Sequence, residues 1–281
     1  MNILVTGHRG FIGSNLVKKL SNHKIVGVDL KDDMSVLDSN FVNGLFNCYN
    51  FDVVIHLAAI PGVGYSINHS EQVLTNNIIG FDTLAKAAIQ HGVKHFIYAS
   101  SSSIYGDGGT QKSPYAVSKA TNELQAAMYS NLSTIKFTGL RFFTVYGEGI
   151  RQDLAISKFI KAMQNDLPIH VYGNGTQARD FTYIDDITEA IKLILESDKT
   201  WKNEVFDIGY GKNTTVNELI EILKDIIKPD FDKVIYEQEK PYDVKETLAN
   251  TDKLYEWFGF RPRYNIKQGL DEWLRHAYTQ S

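Results

Sequence analysis

The first half of the chain alternates short apolar runs with longer amphipathic stretches, and this alternation limits the folds open to it. The runs are rich in β-branched residues and end at turns, which is typical of buried parallel strands. The stretches between them repeat apolar residues at helical spacing, as crossover helices do. In chain order they read NILVTG, FIGSNLVKKL, KIVGVDL, DVVIHLAA, QVLTNNIIGFDTLAKAAIQHG, KHFIYAS, PYAVSKATNELQAAMYS and KFTGLRF. We therefore predict an α/β fold built on a Rossmann-type, doubly wound parallel sheet.

The pattern loosens after residue 147. It predicts helices near residues 154–165, 184–196 and 216–227, short strands at IHVYG and DFTYI, and two helices in TDKLYEWFGFRP and IKQGLDEWLRHA. No repeat or low-complexity linker separates the two halves. We expect residues 1–146, with segments after about residue 180, to form the Rossmann domain, and residues 147–281 to form mainly a smaller α/β substrate-binding lobe.

The composition says little about the fold but indicates which kind of binding partner to expect. Hydrophobic residues make up 43% of the 281 positions, charged residues 22%, and the net charge is -4, so small-molecule partners are expected rather than nucleic acid. The single cysteine, Cys48, excludes an internal disulfide and a cysteine-based zinc site, and we expect a buried thiol. The start MNILVTG lacks a signal-peptide pattern, and no apolar run approaches the ~20 residues that span a bilayer. We expect a cytoplasmic protein without a membrane segment or a metal site.

A glycine-rich turn follows the first predicted strand. VTGHRGFIGSNL places Gly7, Gly10 and Gly13 where the backbone turns into a helix, and this spacing suits a dinucleotide pyrophosphate as well as an ordinary turn. The second strand ends with Asp29, 22 positions after Gly7, where an acid binds the ribose 2′-hydroxyl. That carboxylate repels a 2′-phosphate and favours NAD, whereas Arg9 inside the loop could attract the phosphate of NADP.

The stretch SSSSIYGDGGTQKSPYAVSK combines two candidate groups. Tyr115 and Lys119 are four positions apart on a predicted helix and so share one face. A free tyrosine has a pKa of about 10, so its use as a base near neutrality requires about 4 kcal/mol of stabilisation, which a lysine cation and the nicotinamide could supply. The serines follow a strand, at the sheet edge where α/β folds bind ligands. We predict that the serines and the Tyr-Lys pair form one redox site.

These motifs, TGHRGFIG, VDL, HLAA, SSSSIYG, YAVSK and RDFTYIDD, together resemble the extended short-chain dehydrogenase/reductase superfamily of nucleotide-sugar epimerases and dehydratases. The resemblance covers nearly the whole chain. KFTGLRFFTVYGEGIRQDLAISKFIKAM resembles the UDP-glucuronate 4-epimerases in particular. The resemblance to this family implies bound NAD, a UDP-sugar substrate, and a homodimer formed through helices near residues 71–91 and 115–130.

The resemblance also implies roles for single residues. Tyr115 matches the catalytic base, Lys119 its electrostatic partner and ribose ligand, and Ser101 the hydroxyl that works with the tyrosine. Besides Tyr115 and Lys119, the implied cofactor-binding residues are Gly7, Gly10, Phe11, Ile12, Gly13, Asp29, Asp33, Met34, Leu57, Ala58, Ala59, Asn77, Phe142 and Val145. We interpret His56, inside a strand, as a core or supporting residue.

Eight further positions match substrate-binding residues of the family: Ser102, Ser103, Thr144, Arg151, Tyr172, Arg179, Lys240 and Asp243. Thr144 and Arg151 match residues that face the sugar carboxylate, Tyr172 one that stacks on uracil, and Arg179 a diphosphate ligand. Two segments depart from the family pattern. GEGI lacks its usual proline and tryptophan, and KPYDV has lysine and tyrosine in place of arginine and glycine.

The same resemblance leaves several reactions open. The first expectation is an NAD-dependent 4-epimerase acting on UDP-glucuronate. UDP-glucose or UDP-N-acetylglucosamine 4-epimerisation, reduction, decarboxylation and 4,6-dehydration are the alternatives. Dehydration is disfavoured because Ser101, Ser102 and Ser103 stand where dehydratases carry Thr-Asp-Glu, and hydroxyls are poor proton shuttles near neutrality. A non-catalytic NAD-binding regulator is disfavoured because the tyrosine and lysine are both present.

Two regions are shorter than in the relatives. Only LKDDMSVLDSN and one helix fit between Asp29 and DVVIHLAA, so we predict that the third strand of the usual sheet is missing or nearly missing. Nine residues, 106–114, separate Tyr105 from Tyr115, which predicts a shortened loop over the site.

Overall fold

The strands that the structure describes are arranged in three sheets of six, three and two strands. The computed structural model describes residues 1–279, with side chains through residue 275. The strands are β1 (Asn2–Thr6), β2 (Lys24–Val28), β3 (Val53–His56), β4 (His95–Ser101), β5 (Lys136–Phe142), β6 (Thr144–Tyr146), β7 (Ile169–Tyr172), β8 (Ala178–Tyr183), β9 (Asn203–Ile208), β10 (Asn213–Thr215) and β11 (Val234–Glu237). The largest sheet has the order β2-β1-β3-β4-β5-β9, and its first four pairings are parallel. The predicted doubly wound α/β fold is confirmed.

Helices connect the strands at nearly all the predicted places. They are α1 (Phe11–Lys19), α2 (Ser39–Cys48), α3 (Val63–Asn68), α4 (Ser70–Leu74), α5 (Gly80–Gln90), α6 (Pro114–Leu132), α7 (Ala155–Gln164), α8 (Ile184–Glu196), α9 (Val216–Ile227), α10 (Asp252–Phe258) and α11 (Ile266–Thr279). The stretch predicted as one helix over residues 72–92 contains α4 and α5, joined by a π-helical turn at Thr75–Ile79. The periodicity did not reveal the short elements α3, β6, β10 and β11 or the six-residue strand β9.

The edge of the large sheet carries the predicted deletion. β2 is the terminal strand in the sheet order, with β1 as its neighbour. A short 3₁₀ turn, Leu30–Asp32, and α2 fill the connection to β3. The Asp38 carboxylate starts α2 by accepting the amides of Asn40 and Phe41. The prediction of a sheet without its usual third strand is therefore confirmed.

Aromatic side chains fill the core on one face of the large sheet. Phe81 of α5 and Phe96 of β4 have no solvent exposure, and their ring centres are 5.3 Å apart. Tyr98 lies 5.2 Å from Phe81 in an edge-to-face arrangement. Such pairs add about 0.5–1.5 kcal/mol to the burial of the rings themselves. They fix α5 against the strand that ends in the serines.

The chain divides into two compact units. The first contains Met1–Phe142 and Thr188–Asp207, and the second contains Phe143–Ile187 and the described residues from Ile208 onward. The second unit has a β10-β8-β6 sheet and a parallel β11-β7 pair. Helix α9 begins with a capping box, in which Thr215 and Glu218 exchange hydrogen bonds.

Buried acids organise the second unit. The carboxylate of Asp180, in the RDFTYIDD motif, accepts the amides of Tyr210 and Gly211 at 2.8 Å and that of Ala249 at 3.2 Å. The Asp186 carboxylate accepts the amides of Arg263 and Tyr264. These acids hydrogen-bond segments that are distant in the sequence to the motif. Two of its acidic residues therefore have a structural role.

Two further expectations concern the surface. Cys48 is exposed, so the expectation of a buried thiol was wrong. The buried face of α2 contains Val42 and Phe46, and a residue two positions after Phe46 points to the other side of a helix. Among the described helices, none combines the length and the hydropathy that a membrane span needs.

Candidate active site

The loop after β1 is compact because glycines occupy positions without room for a side chain. Gly7 has φ +73, and a Cβ on it would lie 2.7 Å from the backbone nitrogen of Ala58. A Cβ on Gly13 would lie 2.1 Å from the Gly7 carbonyl oxygen. Gly10, the N-cap of α1, has no side chain that could accept the first amides of the helix. This close backbone turn at a helix start fits a pyrophosphate, and Phe11 and Ile12 form the first turn of that helix.

A neutral histidine supports the loop after β3. The Nδ1 atom of His56 lies 2.8 Å from Thr6 Oγ1, and that hydroxyl accepts the amide of Ala58 at 3.2 Å. Burial lowers the pKa of His56 to about 3, so the ring is uncharged at neutral pH. The interpretation of His56 as a core residue is confirmed by its 3% exposure. It orders the Leu57, Ala58 and Ala59 segment that was predicted to contact the cofactor.

Charged groups surround Asp29 at the end of β2. One carboxylate oxygen of Asp29 accepts the amide of Arg9, and the other accepts the amide of Lys31, each at 3.0 Å. The Arg9 guanidinium pairs with Asp32. The cation that argued for NADP is therefore balanced by an acid within the same cluster, which favours the NAD interpretation.

The two residues after this cluster differ from each other. Asp33 is exposed and has a left-handed backbone with φ 58, whereas Met34 packs against the hydrophobic core. Both were predicted to contact adenine, and that prediction stays open.

The serines lie at the carboxyl end of β4, as predicted. Ser101 ends the strand, and its Oγ accepts the amide of Ser103 at 3.2 Å and the Ser103 hydroxyl at 2.9 Å. Ser102 begins the 3₁₀ turn Ser102–Tyr105. The Ser100 hydroxyl instead points to helix α6, where it donates to Glu123 Oε1 at 2.5 Å. Ser101 and Ser103 thus form a hydrogen-bonded pair of hydroxyls at the carboxyl end of the strand.

Helix α6 presents Tyr115 and Lys119 on one face. Its first turn is fixed by Ser113, whose hydroxyl accepts the amide of Ala116, and by proline at the first helical position. Lys119 is 3% exposed, and its Nζ donates to the Ala99 carbonyl at 2.9 Å. The same Nζ lies 5.9 Å from the centre of the Tyr115 ring. The structure therefore brings the lysine, the tyrosine and the strand that ends in Ser101 together.

The environment of Lys119 favours proton chemistry. Burial lowers the pKa of its ammonium to about 8, so the side chain carries its charge at neutral pH but close to its titration point. A cation beside a phenol stabilises the phenolate. The Tyr115–Lys119 pair can therefore accept and return a proton.

Asn77 reaches the site through the π-helical turn. Its Oδ1 accepts the amide of Ile60 at 2.8 Å, and its Nδ2 donates to the Ile60 carbonyl and to Ser118 Oγ. π-helical turns often occur at functional sites because they shift a side chain out of the α-helical register. Asn77 links the segment after β3 to α6, next to Lys119.

The predicted nucleotide-binding residues form two pairs in the second unit. Lys240 Nζ lies 3.4 Å from the centre of the Tyr172 ring, a cation–π contact. Arg179 Nη2 lies 3.5 Å from an Asp243 oxygen. Lys240, which replaces the arginine of the family pattern, thus keeps a cation against the Tyr172 ring.

The remaining predicted residues of this unit are dispersed along β6 and the following loop. Arg151 donates through Nε and Nη2 to both oxygens of Asp153, at 2.9 and 2.5 Å. Thr144 is half-buried and Val145 is buried, as is Phe142 at the end of β5 in the first unit. Arg151 therefore already carries a carboxylate in the bidentate geometry expected for a uronate ligand.

The shortened loop over residues 106–114 has its own internal contacts. Lys112 pairs with Asp107, and Gln111 donates to the Ile104 carbonyl at 2.8 Å. Gly108 and Gly109 both have positive φ, and a Cβ on either would meet nothing within 4 Å. The loop is a small turn with open space at its tip.

Three polar residues of the first unit were missed by the sequence analysis: Glu123, Arg141 and Asp207. Glu123 follows Lys119 by four positions, so it continues the face of α6 that carries Tyr115 and Lys119. That spacing was the available signal. Arg141 and Asp207 lie on β5 and β9, and nothing local in their segments indicates their partners.

Comparisons with known proteins find relatives that match most of the chain. A model of the NAD dependent epimerase/dehydratase family matches residues 3–209. The protein CapI of Staphylococcus aureus is 36% identical to this chain, and the match covers 98% of this chain and 97% of that protein.

Two solved structures are similar over the whole chain. One is a UDP-glucose 4-epimerase of Thermotoga maritima with UDP-glucose, at a TM-score of 0.93 and 29% identity, covering 100% of this chain and 99% of that one. The other is a UDP-glucuronic acid 4-epimerase of Bacillus cereus with UDP-glucuronic acid and NAD, at a TM-score of 0.91 and 31% identity. That match covers 100% of both chains.

Proposed function

The chain belongs to the NAD-dependent epimerase/dehydratase family, and we propose from that premise that it is an NAD-dependent nucleotide-sugar 4-epimerase. Its proposed reaction interconverts UDP-glucuronate and UDP-galacturonate through a 4-keto sugar. The observation that carries this proposal is the buried Lys119, which lies beside the Tyr115 ring and donates to strand β4 two residues before Ser101. An acid/base tyrosine, its cation and a serine hydroxyl can move the proton of a sugar hydroxyl while a bound cofactor accepts the hydride.

The glycine loop and Asp29 would bind the dinucleotide. The amides at the start of α1 would face its pyrophosphate, and the Asp29 carboxylate would accept a ribose hydroxyl. When bound, NAD supplies a hydride acceptor for C4 of the sugar and then returns the hydride, so no external oxidant is consumed. We therefore expect the cofactor to stay with the protein through purification.

Tyr115 would move the proton at the 4-hydroxyl. Its phenolate accepts that proton as C4 is oxidised and gives it back as the ketone is reduced. Lys119, charged at neutral pH, stabilises the phenolate, and the Ser101 hydroxyl orients the same sugar oxygen by hydrogen bonding. Ser102 and Ser103 offer hydroxyls but no acid near neutral pKa, which argues against elimination of water across C5 and C6.

We assign recognition of the UDP-sugar to residues of the second unit. Tyr172 would stack on uracil, while Arg179 and Lys240 would neutralise the diphosphate. Asp243 would accept a ribose hydroxyl. In this proposal Lys240 leaves the face of Tyr172 when the base binds.

A uronate is the proposed sugar because Arg151 binds carboxylates in bidentate fashion. The Asp153 carboxylate occupies that fork, and the substrate carboxylate would replace it. Similarity to the B. cereus enzyme supports the same assignment. UDP-glucose or UDP-N-acetylglucosamine is the second candidate, supported by the similarity to the T. maritima enzyme. The internal Arg151–Asp153 pair supports it too, because a neutral sugar would not need to displace Asp153 from Arg151.

We further propose a homodimer formed through α6. Val117, Leu124, Met128 and Leu132 lie on one side of this helix and are 43%, 72%, 45% and 73% exposed. Exposed apolar side chains in one row indicate an association surface, and a second copy presents the same row. A cytoplasmic location is proposed because the exposed Cys48 thiol suits a reducing compartment.

Incubation with three nucleotide sugars tests the function. Purified protein with added NAD receives UDP-glucuronate, UDP-glucose or UDP-N-acetylglucosamine, and products are identified by NMR. We expect conversion of UDP-glucuronate to UDP-galacturonate with the highest kcat/KM. Faster conversion of a neutral sugar would establish the second candidate, and conversion of none would exclude an epimerase.

A further inference from the structure

A polar network fixes both ends of residues 100–105, the segment that carries the serine hydroxyls. At its start, the Ser100 hydroxyl donates to Glu123 Oε1 at 2.5 Å. At its end, the Tyr105 hydroxyl donates to Asp207 Oδ1 at 2.7 Å. Arg141 connects the two ends, so the segment is clamped as one unit.

Arg141 makes the connection through three of its donors. Its Nε and Nη2 donate to the two oxygens of Glu123 at 2.9 and 2.8 Å, and its Nη1 donates to the Tyr105 hydroxyl oxygen at 2.6 Å. The guanidinium carbon lies 4.9 Å from the centre of the Tyr105 ring. Hydrogen bonds to Glu123 raise the pKa of Arg141 above its already high value, so its charge is permanent. A planar fork with fixed partners holds direction as well as distance.

The network also connects this segment to helix α6, which carries Tyr115 and Lys119. Glu123 lies one turn beyond Lys119 and two turns beyond Tyr115 on α6. Arg141 on β5 is the register partner of Ser100 on β4. The Glu123 and Asp207 side chains are 15% and 8% exposed, so water competes little for their hydrogen bonds.

We propose that Glu123 and Arg141 are positioning residues that set the place of the Ser101 hydroxyl relative to Tyr115. The inference rests on the proposed epimerase function. Ser101 lies between the two clamped ends, and it ends the strand to which Lys119 is hydrogen-bonded through Ala99. Release of either clamp lets this hydroxyl shift, and a displacement of about 1 Å costs on the order of 10²-fold in rate.

A double-mutant cycle between Glu123→Gln and Ser101→Ala tests the proposal, with UDP-glucuronate as substrate. We expect E123Q alone to lower kcat by about 10- to 100-fold, with KM and bound NAD within about 3-fold of wild type. In the S101A background, E123Q should lower kcat by less than about 3-fold further, because the positioned hydroxyl is already gone. Glu221→Gln, on the surface of α9, is the matched control and should leave kcat unchanged.

Tyr105→Phe applies the same cycle at the other end of the segment. Tyr105 is 41% exposed, so this variant tests the network even where E123Q yields little folded protein. An undiminished effect of either substitution in the S101A background, or an effect on KM alone, overturns the inference. An inactive wild type would defeat the proposed function with it, whereas an active wild type with additive losses defeats the inference alone.

Discussion

Lys119 donates a hydrogen bond from Nζ to the carbonyl oxygen of Ala99, 2.9 Å away, and thereby joins helix α6 to the strand that ends in Ser101. The ammonium is almost fully buried, and burial is the cause of its lowered pKa of about 8. A buried charge with few partners opposes folding. Stability alone would favour an apolar side chain at this position, which supports the proposed role of Lys119 beside Tyr115.

Lys119→Met removes this charge while keeping most of the side-chain volume. A lysine whose pKa is lowered on folding binds fewer protons in the folded state between pH 8 and 10.5, so wild-type stability gains from this site as pH rises. From pH 7 to 9.5, we expect the unfolding free energy of the wild type to increase by about 2 kcal/mol relative to that of K119M. Urea titrations measure it, with the exposed Lys202→Met as control. A difference that stays constant with pH would show that Lys119 is not perturbed.

Asp32 should influence the choice between NAD and NADP, because it neutralises the Arg9 guanidinium. Asp32→Asn removes the partner of the Arg9 guanidinium, and a free arginine next to Asp29 attracts a 2′-phosphate. We expect affinity for NADP to rise about 10-fold, which corresponds to about 1.4 kcal/mol. This value is just below the roughly 1.5–3 kcal/mol that a hydrogen bond to a charged group contributes. Calorimetric titration with NAD and NADP measures this change. The gain should vanish in the double variant with Arg9→Ala, and a gain that persists there would assign the effect to another group.

Arg151 and Asp153 should control the choice between charged and neutral sugars. Arg151→Gln should lower kcat/KM for UDP-glucuronate by about 30-fold and leave UDP-glucose within about 3-fold, because only the uronate uses the fork. Asp153→Asn should act in the opposite direction on the uronate, since it removes the competing carboxylate. Steady-state kinetics with both substrates tests the pair. Equal losses for the two sugars in R151Q would remove the uronate assignment.

The proposed dimer depends on the apolar row of α6. Leu124→Glu places a charge on the most central exposed position of that row, and burial of an unpaired charge is costly. We expect a dimer for wild type and a monomer for L124E by light scattering. Leu167→Glu is the matched control, because Leu167 is 56% exposed but lies outside α6. A monomeric wild type would reject the dimer.

The backbone plan was predictable because its signals are local. Continuous apolar runs rich in β-branched residues predicted β1, β3 and β4. The glycines of the first loop lie where a Cβ would collide with Ala58 or Gly7. The missing third strand followed from a simple count of the residues between Asp29 and β3. The predictions themselves needed only residues close together in the sequence, whereas the collision with Ala58 is a tertiary contact that the structure adds.

The supporting contacts of the site were not predictable in the same way. Glu123, Arg141 and Asp207 come from a helix and two strands, and their pairing depends on tertiary distance. The Arg151–Asp153 pair likewise follows from side-chain conformation and not from spacing. Cys48 was expected inside because thiols are commonly buried, but the phase of α2 places Val42 and Phe46 there instead.

Conversion of UDP-glucuronate in D₂O shows whether the hydrogen at C4 of the sugar exchanges with solvent during the reaction. In the proposed reaction, the hydrogen at C4 leaves as a hydride and returns inside the protein, without exchange with solvent. We predict that NMR shows UDP-galacturonate with a full-intensity proton at C4, an intact carboxylate and no added reductant consumed. Deuterium at C4, loss of the carboxylate as CO₂, or no conversion of UDP-glucuronate would contradict it.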